Sequence, residues 1–116
     1  MTGIKPYYCH AGITIYHGDC REIMPYICID SDDVVITDPP YNLKKNYGLH
    51  DDNLSPNEYE KWCKSWFLIL PRPIVMTVGI TNLPMWMRIE QTHKIIAWLK
   101  PNQCTRNYLG TTAGFN

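Results

Sequence analysis

Val34-Val35-Ile36-Thr37-Asp38-Pro39-Pro40-Tyr41 is the stretch on which the reading of the fold turns. Its first four residues form a continuous β-branched run, the pattern of a strand buried on both faces of a parallel sheet rather than of an alternating surface strand. The run stops at Asp38, because two successive prolines lack the backbone N–H that a sheet ladder needs. A buried strand ending in a carboxylate and a rigid turn places residues 38–41 at a carboxyl edge, where open parallel sheets hold their ligands.

Upstream, Ile13-Thr14-Ile15-Tyr16-His17 alternates apolar and polar residues and is closed by Gly18, which predicts a strand. Asp19-Cys20-Arg21-Glu22 has the form of a capping box, with Ile23, Met24 and Ile27 falling on one face of a short helix. Ser31-Asp32-Asp33 reads as a turn. Downstream, residues 42–54 are polar and aperiodic, the longest loop candidate in the chain. Ser55-Pro56-Asn57-Glu58 supplies a cap, a first-turn proline and an acidic partner. Tyr59, Trp62, Cys63, Trp66, Phe67 and Leu70 then follow at helical spacing. Pro71 and Pro73 end that helix. Ile74 to Gly79 reads as the next buried strand, Asn82 to Gln91 as an amphipathic helix, and Lys94 to Leu99 as a fourth strand. Trp62, Trp66, Phe67, Trp86 and Trp98 are assigned to the core.

This alternation predicts an α/β fold of about four mainly parallel strands joined by crossover helices. Asp19 and Asp38 each follow a predicted strand, so the topology expects both carboxylates on one edge.

The 116 residues fit one domain, with 45% hydrophobic and 19% charged residues, against roughly 25% charged on average, which excludes disorder and coiled coil. A net charge of zero excludes a partner held by bulk positive charge. The charges are nonetheless divided: residues 1–43 carry net −4 and the remainder net +4, the basic part opening at Lys44-Lys45. Five cysteines without a C-x-x-C pair, and no signal sequence, read as reduced thiols in a cytoplasmic protein. The longest apolar run, Trp66 to Leu70, is too short for a membrane span. His10, His17, His50 and His93 show no metal-ligand spacing, so no metal is expected.

At Thr37-Asp38-Pro39-Pro40-Tyr41-Asn42 the chain resembles the D-P-P-Y motif of the amino-group DNA methyltransferases, which methylate adenine N6 or cytosine N4 from S-adenosylmethionine. Ile15-Tyr16-His17-Gly18-Asp19-Cys20-Arg21-Glu22-Ile23-Met24 is similar to the G-D-x-x-E-x-(L/M) segment that precedes D-P-P-Y in bacterial and phage members, and Lys5-Pro6-Tyr7-Tyr8 resembles their N-terminal segment. The resemblance implies a partial Rossmann-like S-adenosylmethionine-dependent methyltransferase fold and a cytoplasmic, bacterial or phage-encoded DNA methyltransferase. It further implies double-stranded DNA as partner, with adenine favoured because Asp opens the motif.

The chemistry explains those residue types. An exocyclic amino nitrogen is a poor nucleophile because its lone pair is delocalised into the ring. An acceptor that draws its N–H groups out of plane restores lone-pair character. Asp38 can supply a carboxylate oxygen and the Pro39 carbonyl a second acceptor. Pro39 and Pro40 make the turn rigid, and Tyr41 offers a face for a base flipped from the duplex. In the family an acidic residue at the place of Asp19 holds the adenosine part of the cosubstrate; the local alternative is a helix cap. Asp38 is also counted with the cosubstrate site. Lys44, Lys45 and Tyr47 lie where the family's DNA-facing loop follows the turn, and read either as DNA contacts or as an ordinary solvated loop.

The family also has a strand followed by an F-x-G-x-G loop. None of the seven glycines here forms G-x-G. The expectation is therefore that residues 1–116 are the N-terminal catalytic part of a longer DNA methylase. The glycine loop and target-recognition region would be absent, and a missing C-terminal half or a homodimer is counted among the partners. Two other readings stand beside it: an inactive nucleic-acid or partner binding remnant, and an N4-cytosine methyltransferase.

Overall fold

A computed structural model describes residues 4–91 and 94–98, together with the backbone of residues 105–106 and 112–113. The chain opens with an antiparallel hairpin, β1 (Tyr8–His10) and β2 (Ile13–Ile15), in register Tyr8↔Ile15 and His10↔Ile13. Its two turn residues, Ala11 (φ 49°) and Gly12 (φ 78°), are both left-handed. That geometry matches the natural twist of paired strands and is easiest for glycine. Helix α1 (Cys20–Ile23) follows, passing at Pro25 into a 3₁₀ turn over Met24–Tyr26.

Strand β3 (Val35–Thr37) is the first half of the central pair. A small hairpin, β4 (Asn46–Tyr47) and β5 (His50–Asp51), precedes helix α2 (Pro56–Phe67). Strand β6 (Ile74–Met76) then returns parallel to β3, with Val35↔Ile74, Ile36↔Val75 and Thr37↔Met76. A 3₁₀ turn (Ile80–Asn82) leads into α3 (Leu83–Ile89), and a two-residue antiparallel pair joins β7 (Thr105–Arg106) to β8 (Thr112–Ala113).

Helix α2 forms as its sequence dictates. The Ser55 side chain accepts from Glu58 N at 3.4 Å, and the Glu58 carboxylate accepts from Ser55 N at 3.1 Å, closing both arms of the capping box. Tyr59, Cys63, Trp66 and Phe67 turn inward with Leu70 and meet Met85 and Trp86 from α3. The ring centroid of Trp86 lies 5.6 Å from that of Trp66 and 5.1 Å from that of Phe67, both tilted. Val35, Ile74 and Met76 add the near face of the parallel pair to this core.

Three expectations are corrected. The strand at Ile13 is real but shorter, and among the described residues it pairs only with Tyr8–His10, because the Ala11-Gly12 turn folds it back locally. Sheet topology therefore does not place Asp19 on the edge of β3. The parallel pair is covered on one face alone: Ile36 is 79% exposed and its cross-strand partner Val75 is 56% exposed, since no second layer packs there among the described residues. Residues 94–98 are irregular rather than a strand, and Trp98 is 76% exposed instead of in the core; among the described residues no neighbouring strand offers them a ladder. Leu99, at the end of that expected strand, lies outside the described residues.

Candidate functional site

Asp38 is the first residue beyond β3, and Thr77 the first beyond β6. Thr77 N donates to Thr37 O at 3.2 Å, so the ladder carries the two side chains to the same edge. The Thr77 hydroxyl and the Tyr41 hydroxyl, the latter at 2.6 Å, both donate to Asp38 Oδ1. Two hydroxyl donors on one oxygen hold the carboxylate at a fixed rotation. Partial burial, and then the bond to Asp38, push the Tyr41 phenol above its usual range, so it remains a donor at neutral pH.

The turn itself is clamped from behind. Tyr59 of α2, only 3% exposed, donates its hydroxyl to Pro40 O at 2.7 Å, and burial keeps that phenol protonated. Asn82 Nδ2 donates to Tyr41 O at 2.8 Å. A Cβ added at Gly79 would stand 3.4 Å from Tyr41 Cγ, so the ring lies against that backbone. With the Pro40 and Tyr41 carbonyls engaged, the Pro39 carbonyl receives no hydrogen bond among the described residues.

Residues 42–54, expected as an aperiodic loop, form the β4–β5 hairpin. Tyr47 pairs with His50 around Gly48-Leu49, and Gly48 has φ 77°. Glycine at the first central position is what a type II′ turn requires. Asn42 fastens the base of the hairpin: its Nδ2 donates to Leu54 O and its Oδ1 accepts from Leu54 N, both at 2.8 Å. The Asp52 carboxylate accepts backbone N–H bonds from Asn42, Leu43 and Lys45. His50 packs against Trp62 at 4.5 Å between centroids, with the rings tilted by 38°.

Between turn and hairpin lies a cleft of about 90 Å³, lined by Asp38, Pro39, Tyr41, Leu43, Lys45, Tyr47 and Asp52. It gathers five of the site residues expected from sequence: Asp38, Pro39, Tyr41, Lys45 and Tyr47. Pro40 instead faces Tyr59 through its carbonyl. Lys44 lines a separate open hollow of about 490 Å³ formed by the hairpin alone. Asp19 lines neither space.

Asp19 is the N-cap of α1, accepting from Arg21 N at 2.9 Å. Both its oxygens also take the Arg21 guanidinium, which, with the cap bond, holds the carboxyl down at about 2 from a usual 3.8. The capping box anticipated there is replaced by a simple cap, since the Asp19 side chain takes Arg21 N and Glu22 N goes to the Asp19 carbonyl.

Thr77, Tyr59, Asn82 and Asp52 are the residues that sequence reasoning passed over. Thr77 had a signal, being the first polar side chain past a buried run on a strand parallel to β3. Tyr59 had one too, since a buried phenol needs a partner. Asp52 had none, because its partners are backbone groups that any sequence possesses. Among the described residues, no group of three His, Cys, Asp or Glu converges as metal ligands would, and no helix is long and apolar enough to cross a membrane.

Residues 33–107 match the family model described as a DNA methylase, that of the N6 and N4 methyltransferases. The chain is 39% identical over 62 residues to the Type II methyltransferase M.ScaI of Streptomyces caespitosus, covering 53% of this chain and 19% of that protein. It is 33% identical over 87 residues to the Type II methyltransferase M.BamHI of Bacillus amyloliquefaciens, covering 72% and 20% respectively. Over a shorter stretch of 37 residues, 32% of this chain and 12% of the relative, it is 54% identical to the Type II methyltransferase M.HpaI of Haemophilus parainfluenzae. The chain thus spans about a fifth or less of the length of these three relatives. No solved structure matches it.

Proposed function

The chain belongs to the amino-group DNA methylase family, and on that premise we propose that it carries the base side of an S-adenosylmethionine-dependent DNA methyltransferase, with adenine N6 as the favoured acceptor. The observation that carries this reading is the Asp38 carboxylate, oriented by the Tyr41 and Thr77 hydroxyls at a cleft whose wall is a clamped Pro-Pro turn. A flipped base entering the cleft would offer its amino group to Asp38 and to the Pro39 carbonyl. Two acceptors drawing on the N–H groups take the nitrogen lone pair out of conjugation, an interaction that strengthens towards the transition state. Tyr41 and Tyr47 supply flat faces that replace stacking lost from the duplex. Lys45 at the rim, with Lys44 on the outer side of the hairpin, would meet phosphates of double-stranded DNA.

Family membership implies S-adenosylmethionine as cosubstrate, which supplies an electrophilic methyl group on a sulfonium. The residues present fit it in part. Asp19 has a half-exposed carboxylate able to accept from the hydroxyls of the adenosine, provided the Arg21 guanidinium yields some of its bonds. Asp38 borders the methyl-receiving side. No G-x-G sequence is present to approach the methionine part, so that contact is not assigned to residues 1–116.

The test is methyl transfer to mixed-sequence duplex DNA by the chain, alone and supplemented with the C-terminal portion of a related enzyme. The expected product is N6-methyladenine, and Asp38→Ala should reduce its formation by at least about a hundredfold. Label on cytosine N4 would reassign the base. Transfer to neither base in the reconstituted pair overturns the reading.

A further inference from the structure

We propose that Asp52 is a positioning residue for base capture: it folds residues 42–45 into the conformation that makes Lys45 and Tyr47 the rim of the Asp38 cleft. The inference rests on the reading of that cleft as the base site, and deepens it. Asp52 is 3% exposed, the one buried charged residue among those described. Its Oδ1 accepts from Asn42 N at 2.9 Å, and its Oδ2 from Leu43 N at 3.0 Å and Lys45 N at 2.9 Å. The remaining N–H of the segment, on Lys44, donates to the Asp52 carbonyl at 2.8 Å. Four consecutive backbone donors therefore converge on a single residue.

The convergence explains an otherwise unfavourable backbone. Asn42 (φ 60°) and Lys44 (φ 62°) are left-handed without being glycine, and such residues persist only where surrounding bonds over-determine them. Alternating the hand along the chain turns successive N–H groups inward, forming a concavity suited to an anion. Here the anion is a side chain of the same protein, ten residues beyond Asn42. Because Asp52 itself lines the cleft, the bonds that fold the segment also place it against Asp38 and Tyr41.

Asp52→Asn keeps the shape of the side chain but replaces one accepting oxygen with an amide that cannot accept. Amide hydrogen exchange on the unliganded chain should quicken about tenfold at one or more of Asn42, Leu43 and Lys45, with α2 unchanged. Affinity for a mixed-sequence duplex should fall about tenfold. Asp52→Glu retains the charge at the wrong reach and should fail to restore either property, whereas a purely electrostatic role would be rescued by it. Unaltered exchange in Asp52→Asn overturns the proposal, and so does faster exchange accompanied by undiminished duplex affinity. An unsubstituted chain with no duplex affinity overturns the base-site reading and the proposal together. That result is told apart from failure of Asp52 alone, in which parent and variant bind equally well.

Discussion

Asp19 and Asp38 present the same side chain after an extended segment, yet their surroundings assign them different chemistry. Asp19 is gripped by a guanidinium on both oxygens, which compensates its charge and depresses its basicity. Asp38 is turned by two hydroxyls that both donate to one of its oxygens. On the proposed reading the difference separates an acceptor from a support: the acceptor has its rotation fixed by hydroxyls, and the support is held by a guanidinium.

The contrast can be broken most severely at Tyr41. Tyr41→Ala removes both the ring and the hydroxyl, and should lower methyl transfer about a hundredfold or more. Tyr41→Phe separates the two roles, since it retains the stacking face and loses only the bond to Asp38. Single-turnover rates within about threefold of the parent would assign Tyr41 to stacking alone, while a loss of about tenfold assigns weight to the hydroxyl. Thr77→Val is a nearly isosteric probe of the same carboxylate. It should cost about tenfold in turnover with little change in duplex affinity, and an equal loss in both would make Thr77 merely structural.

The smaller effects lie at Asp19. Asp19→Asn keeps a good helix cap and abolishes the ion pair, so thermal stability should shift by under about 1 kcal/mol. A simultaneous drop in S-adenosylmethionine affinity, read by calorimetry, would add a ligand role to the cap. The pH dependence follows from the depressed carboxyl. A group held below its unfolded value contributes stability that is fully present above about pH 4 and is lost as pH falls through about 2. The Asp19 side chain is 36% exposed, so that contribution is small and screened by salt. Arg21→Ala should return the Asp19 titration, followed by NMR, towards 3.8.

Helix α2 and the 42–54 hairpin show why one part of the molecule was legible and another was not. In α2 the information is local: cap, proline, acidic partner and apolar spacing all lie within one helical segment, and each agrees with the rest. Strands β3 and β6 were readable for the same reason, as short β-branched runs bounded by prolines. Their exposure was not, because burial of Ile36 and Val75 depends on a neighbouring layer that a strand's own composition cannot report. In the hairpin, Gly48 was a usable turn signal set among polar residues with no alternation around it. The decisive contacts of Asp52 go to backbone N–H groups, which leave no trace in residue identity. At the site, Asp38, Pro39 and Tyr41 stood out as a motif on a strand end, whereas Thr77 became a partner only through the register that sets Thr37 beside Met76. Asp19 was misplaced because its strand was assumed to join a sheet that a tight turn prevented it from joining.

The close, tilted approach of His50 and Trp62, 4.5 Å between centroids, gives the hairpin an optical gauge of its own. Trp66 and Trp86 are sealed in the aromatic core against Phe67, while Trp62 alone among these indoles touches the hairpin. Lifting the hairpin would withdraw the imidazole from the Trp62 ring and alter its emission, leaving the core indoles as an internal reference. Trp62→Phe would erase the signal, and intrinsic fluorescence could then time the entry of a DNA strand without an attached dye.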